Sequence, residues 1–261
     1  MKNNNFAVFS SGAVIGTLGG LIGLGGAEFR LPLLIGLFAF ASLEAVIVNK
    51  AISLIVVASA LLFRAGTIPL NALMAYWDVI LNLLAGSLLG AWFGAGWAIR
   101  LRTETLYKVI AVLLLLIALL LVFAHNPTAS TMPLFSGTTQ VTVGVAAGFG
   151  IGVVASLLGV AGGELLIPTL VLLFGADIKL AGSLSLAVSL PTMLVGFTRY
   201  STDQSFAVLG QNQRFVWVMA TGSLCGAFLG GQLLGIVPTK ILLPMLALIL
   251  GVSAIKVWRH G

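Results

Sequence analysis

Gly23-Leu24-Gly25-Gly26-Ala27-Glu28-Phe29-Arg30-Leu31-Pro32 and Gly159-Val160-Ala161-Gly162-Gly163-Glu164-Leu165-Leu166-Ile167-Pro168 are two copies of one pattern. Each has a Gly five residues before a Glu and a Pro four residues after it. Each also interrupts a long apolar run with small residues and one carboxylate. An offset of 136 residues carries Glu28 onto Glu164, Pro32 onto Pro168, and Gly12 and Gly16 onto Gly148 and Gly152. The chain is therefore two similar halves, each built around a Gly-rich break.

The surrounding composition says what is being broken. Of 261 residues, 59% are hydrophobic and 8% charged, with a mean hydropathy of +1.15. A soluble domain carries roughly 25% charged residues, so this is an integral protein of the lipid bilayer. Lys and Arg number 13 against 7 Asp and Glu, but they are scattered. No clustered basic face with stacking aromatics exists, which excludes nucleic acid as a partner. The single cysteine, Cys225, has no partner for an intrachain disulfide and is expected to be a small buried packing residue. His125 and His260 lie far apart at span ends, so neither a metal nor another cofactor is expected. With no Gly-x4-Gly-Lys-Ser/Thr loop, an ATP-driven pump is disfavoured. No catalytic constellation stands out, and no enzyme activity is expected.

Each half reads as five hydrophobic segments, the second of them short. The first half gives Phe6–Gly26, Leu31–Leu43, Ala45–Phe63, Val79–Ile99 and Val109–Ala124. Leu31–Leu43 is too short to span comfortably, since about 20 residues are usual. Val109–Ala124 is hydrophobic all round, which suggests a lipid-facing position. The second half gives Thr138–Gly163, Leu165–Ala176, Leu180–Thr198, Phe215–Val237 and Ile241–Val257. Glycines at 12/16/20, 86/90/94, 144/148/152 and 222/226/230 lie on single helix faces and predict close helix packing. A linker at 126–137 separates a first membrane repeat, 1–125, from a second, 138–261.

Topology follows from counting. The first two segments return the chain to its starting side, whether they cross or dip in as a hairpin. Three more crossings then reverse it, so the halves are expected to be inverted. With both termini cytoplasmic, nine basic residues lie inside and Arg30, Arg64, Lys179 and Lys240 lie outside or within the membrane, as the positive-inside rule asks. The expected fold is an all-α, multi-pass cell-membrane protein of two inverted repeats. Each repeat has a broken helix or re-entrant hairpin plus three spanning helices, eight to ten membrane segments in all.

The breaks are where chemistry is expected. Irregular backbone within a bilayer is stable only where protein or a water-filled cavity satisfies its polar groups. In inverted-repeat transporters, paired breaks form the substrate site near the midplane. Helix N-termini there present free N–H groups and a positive dipole end, which suit an anion. Gly25, Gly26, Gly162 and Gly163 would let a ligand touch the backbone, with Pro32 and Pro168 in the first turn of the helix that follows. Glu28 and Glu164 are candidates to carry coupling protons, or to hold the break in shape through its own N–H groups. Asn49 and Lys50, with the hydroxyls of Ser183, Ser185 and Ser189, are candidate anion ligands. Lys50 alternatively snorkels to the cytoplasmic side. Arg30 either neutralises Glu28 or binds substrate, and Arg64 and Arg199 read as interfacial anchors.

Paired Gly-Gly-x-Glu and Gly-Gly-Glu motifs, each with a Pro four residues on, resemble the TauE/SafE family of sulfite exporters over about residues 10–255. The resemblance implies a secondary transporter that exports, or sometimes takes up, sulfite, sulfonates or related sulfur anions without ATP. The resulting expectation is export of a small sulfur-containing anion by alternating access, coupled to the proton gradient, with Glu28 or Glu164 as the coupling group. The alternatives are a passive, channel-like anion path, and uptake rather than export.

Overall fold

In a computed structural model, the residues described are 4–22, 26–65, 74–123, 134–232 and 239–259. They form α1 (Asn5–Ile22), α2 (Ala27–Gly36), α3 (Ser42–Ala65), α4 (Trp77–Arg100), α5 (Thr103–Phe123), α6 (Gly137–Leu158), α7 (Gly163–Phe174), α8 (Ile178–Tyr200), α9 (Ala207–Gln211), α10 (Gln213–Gln232) and α11 (Thr239–Trp258). A single 3₁₀ turn, Gln204–Phe206, precedes α9, and no strand occurs among the described residues. The protein is all-α, as its hydropathy requires. Five helices are long and apolar enough to cross a membrane, over Ser42–Leu61, Trp77–Arg100, Gly137–Leu158, Leu180–Tyr200 and Gln213–Gln232.

Packing is reciprocal between the halves. Helix α1 lies on α10 and, correspondingly, α6 lies on α4; α10 packs on α3 as α4 packs on α8. The short helices follow suit, with α2 on α1 and α3, and α7 on α6 and α8. Equivalent helices also meet each other, α3 with α8 and α5 with α11. Helices α3 and α8 occupy the centre: 56% of each span is buried, against 44% for the other three.

Glycine makes the two main seams. A Cβ on Gly16 would run into the backbone of Ser223, and one on Gly226 into the carbonyl of Ala13. In the other seam Gly86 meets Val145, Gly90 meets Phe149 and Gly94 meets Val153. Residue numbers rise together along both seams, so each pair runs parallel. Backbones in direct contact gain dispersion and leave no side chain to order, the usual economy of small-residue packing in lipid.

Three expectations need correction. Pro32 and Pro168 lie in the second turns of α2 and α7, because those helices begin immediately before the glutamates, at Ala27 and Gly163. Each proline therefore removes the N–H that would bond the carbonyl of Glu28 or Glu164. Helix α5 is not wholly lipid-facing: Leu106, Ile110, Leu114 and Ile117 are buried, while Val112, Leu115, Leu116 and Leu119 are exposed. Its uniform hydrophobicity hid a face packed on α11. Cys225 is exposed rather than buried. The buried face of α10 is the Gly222-Ser223-Gly226-Gly230 face, and Cys225 stands off it beside an apolar cavity lined by Ser59, Leu224, Phe228 and Leu229.

Candidate functional site

The second break is fully described and shows how the motif works. Gly159 (φ 66°) ends α6, with Val160 N–H bonded to Ala155 O and Gly159 N–H to Ser156 O. This is a Schellman arrangement, which needs the left-handed backbone that Gly adopts without strain. Three residues on, Gly162 (φ 79°) turns the chain again and accepts from the N–H groups of Leu165 and Leu166 at the start of α7. Gly26 repeats this at the start of α2, with φ 71° and bonds from Phe29 and Arg30. Gly25 lies outside the described residues. Gly163 is the first residue of α7, as Ala27 is of α2.

That placement puts each glutamate in the first turn of its helix, where the positive dipole end favours a carboxylate. Their burial is nearly complete, at 2% exposure for Glu28 and 6% for Glu164. The two carboxyl groups lie close to each other. Neither carboxyl oxygen of Glu164 has a hydrogen-bond partner among the described residues. The N-terminal turns of α2 and α7 thus converge on one buried carboxyl pair, with one member from each half.

The first half surrounds this pair with polar groups. Arg30 is fully buried, lies close enough to attract Glu28, and donates through Nη1 to Asn49 O (3.5 Å) and Ser53 Oγ (3.3 Å). Asn49 Nδ2 donates to Ala27 O (3.0 Å) and to Leu158 O (3.1 Å), tying the first helix of one break to the last turn before the other. In the second half Ser189 Oγ donates to Ala161 O (2.7 Å) inside the break. Ser185 returns its hydroxyl to Gly182 O of its own helix, and Ser183 is buried with no hydrogen-bond partner among the described residues.

Lys50 stands apart from the pair. Fully buried, it donates to Ala155 O (3.2 Å) and Ser156 Oγ (3.5 Å), with the Tyr200 ring 6.0 Å away. Tyr200 Oη donates to Ser156 O (2.8 Å). The ammonium therefore braces the carbonyl end of α6, where a cation is favoured. It does not reach a membrane surface, as snorkelling would have it do. Arg199 lies over the Trp92 ring at 4.9 Å.

Sequence reasoning did not single out Ser53, Ser156 or Tyr200. The repeat offset offered a signal for the first: it carries Ser53 onto Ser189, and Asn49 onto Ser185.

This all-helical chain, with its two Gly-rich breaks, is matched by a family model. The model described as Sulfite exporter TauE/SafE matches residues 8–257, nearly the whole chain. The chain belongs to the sulfite exporter TauE/SafE family. As a TauE/SafE protein it is a multi-pass membrane transporter. Comparisons with curated proteins and with solved structures returned no match.

Proposed function

We propose that the protein is a secondary transporter that exports a small sulfur-containing anion, sulfite or an organosulfonate, by alternating access about the two Gly-rich breaks. The observation that carries this reading is the convergence of two helix N-termini from opposite halves on a buried carboxyl pair. Free N–H groups and dipole ends supply an anion's ligands, while the carboxyl pair supplies a group that takes up and releases protons. Asn49 and the Ser183–Ser189 stretch line the approach. The proton is the coupling ion in this reading, and Lys50 serves as a brace.

The halves are inverted relative to each other in the same reading. Support comes from α3 and α8, which are equivalent helices. Lys50 on α3 lies against Gly196 on α8, whereas Leu54 and Val57 cluster with Leu186, Leu190 and Met193. Numbers rise on one helix as they fall on the other. Equivalent helices that meet antiparallel fit a two-fold axis lying in the membrane plane, the geometry of inverted repeats.

Sulfite flux in proteoliposomes, with and without a pH gradient, tests the function. Flux that depends on the gradient and loses that dependence in Glu28→Gln plus Glu164→Gln is the expected result. Flux that ignores both would identify a passive path. No flux of sulfite or of any sulfonate would overturn the substrate class.

A further inference from the structure

We propose that the groove between the Arg100 end of α4 and the Arg199 end of α8 binds the phosphodiester headgroup of an anionic membrane lipid, with Arg199 and Arg100 as its ligands. This site is separate from that of the transported anion, which the reading above places at the breaks.

Helices α4 and α8 pack side by side and run parallel. Ser87 meets Thr192 at 2.7 Å, and further along both helices Gly96 meets Arg199. Their C-terminal ends therefore approach the same bilayer surface. Arg199 is the penultimate residue of α8, and its guanidinium crosses onto α4, 4.9 Å from the Trp92 ring centre. One turn beyond Trp92, a Cβ on Gly96 would stand 3.3 Å from Arg199 Nε and 3.6 Å from Nη2. The bare glycine backbone thus makes room for the guanidinium. Arg100 follows Gly96 by one further turn on the same side of the helix and ends α4.

The charge of Arg199 is left unanswered by the protein. Its Nε is buried with no hydrogen-bond partner among the described residues. Asp203, the nearest carboxylate in sequence, instead accepts from Ser205 N–H at the 3₁₀ turn. Stacking on Trp92 uses the face of the guanidinium and leaves its N–H fork for an acceptor in its own plane.

Depth then selects the acceptor. Gly96 and Trp92 lie four and eight residues before the end of α4, about 6–12 Å along its axis. Helix α4 has 24 residues and is about 36 Å long, against a hydrocarbon core of about 30 Å. Arg199 is therefore held near the boundary between headgroups and acyl chains. A cation fixed there without a carboxylate is costly unless an anion descends to it. Lipid phosphodiesters are the anions at that level, and two of their oxygens suit the guanidinium fork. Deeper along α4, Leu89 and Phe93 are exposed and offer apolar surface to the acyl chains. A net negative headgroup is favoured over a zwitterionic one. Residues 100–108 carry Arg100, Arg102 and Lys108 against Glu104 alone, which leaves little to receive a headgroup ammonium.

The test places the full-length protein in phosphatidylcholine bilayers and adds phosphatidylglycerol with brominated acyl chains, which quench tryptophan on contact. Quenching lost in Trp92→Phe is assigned to this site, and comparison with brominated phosphatidylcholine gives the relative affinity. Wild type is expected to prefer phosphatidylglycerol about tenfold. Arg199→Gln should bring the two lipids within about twofold of each other, with Arg199→Lys between, since it keeps the charge and loses the planar stack. Arg100→Gln, at an exposed position, should lower the preference about threefold. Glycerol phosphate and methanesulfonate in solution should leave the quenching unchanged. Displacement by either shows a site for a soluble anion and overturns the lipid assignment. Wild type without the preference overturns it too, as does a folded Arg199→Gln protein that keeps it. Should Arg199→Gln fail to fold, Arg100→Gln decides, and an undiminished preference there overturns the proposal.

Discussion

The two halves of the molecule are alike in their seams and unlike at their breaks. Helix α1 meets α10 through glycine much as α6 meets α4, and Gly26 and Gly162 share one left-handed conformation. At the breaks the offset that aligns the glutamates sets Arg30 against Leu166, Asn49 against Ser185 and Lys50 against Leu186. The first half supplies cations and an amide; the second supplies hydroxyls and apolar bulk. The shared Gly-rich pattern accounts for the frame, and differences at a few positions set the two breaks apart.

The largest effect expected from this comparison lies in the seams. Gly226→Leu and its counterpart Gly90→Leu should each cost at least about 3 kcal/mol and abolish recovery of folded protein, since a backbone carbonyl fills the space. Gly150→Leu, with nothing within 4 Å of its Cβ, should melt as wild type does in detergent. Unequal losses in the two seams would break the reciprocity. Next comes Asn49→Ser, which gives the first half the second half's residue and removes both bonds from Nδ2. A loss of about 2–3 kcal/mol in thermal unfolding is expected, against under about 1 kcal/mol for Ser185→Ala. Ser53→Ala and Ser189→Ala occupy equivalent positions and should cost about 1 kcal/mol each; a large difference would show that the two hydroxyls serve different ends. The smallest effect belongs to Lys50→Leu. Anion affinity measured by titration should stay within about twofold of wild type, because the group that is lost braces α6. A collapse of affinity there would move the anion site to Lys50.

Much of this frame is legible in residue order. The Gly-Gly breaks, the short helices after them and the four glycine faces are local properties, fixed by φ angle and by spacing along a helix. Which glycine face meets which is not local, and nothing at 12/16/20 names residues 219–227 as the partner. The adjacent pair Asn49-Lys50 shows a second limit. Neighbours on a helix point about 100° apart, so Asn49 turns to the breaks while Lys50 turns to the end of α6. Neighbours in sequence, they serve different parts of the fold. Arg30 shows the converse: beside Glu28 in sequence it reads as a local neutraliser, and its length also carries it to Asn49 and Ser53 on the next helix.

The parallel seams also order events during synthesis. Gly86 meets Val145, so the seam between α4 and α6 joins segments that are made close together in time. Gly12 meets Met219, more than three quarters of the chain away. The seams nest, the inner one able to close early and the outer one only near the end, and contacts of such separation are the slow ones to form. Helix α1 therefore enters the bilayer first and waits longest, its glycine face uncovered until residues 213–232 arrive. A chain that stops short of α10 retains its inner seam but offers that bare face to any other helix in the membrane.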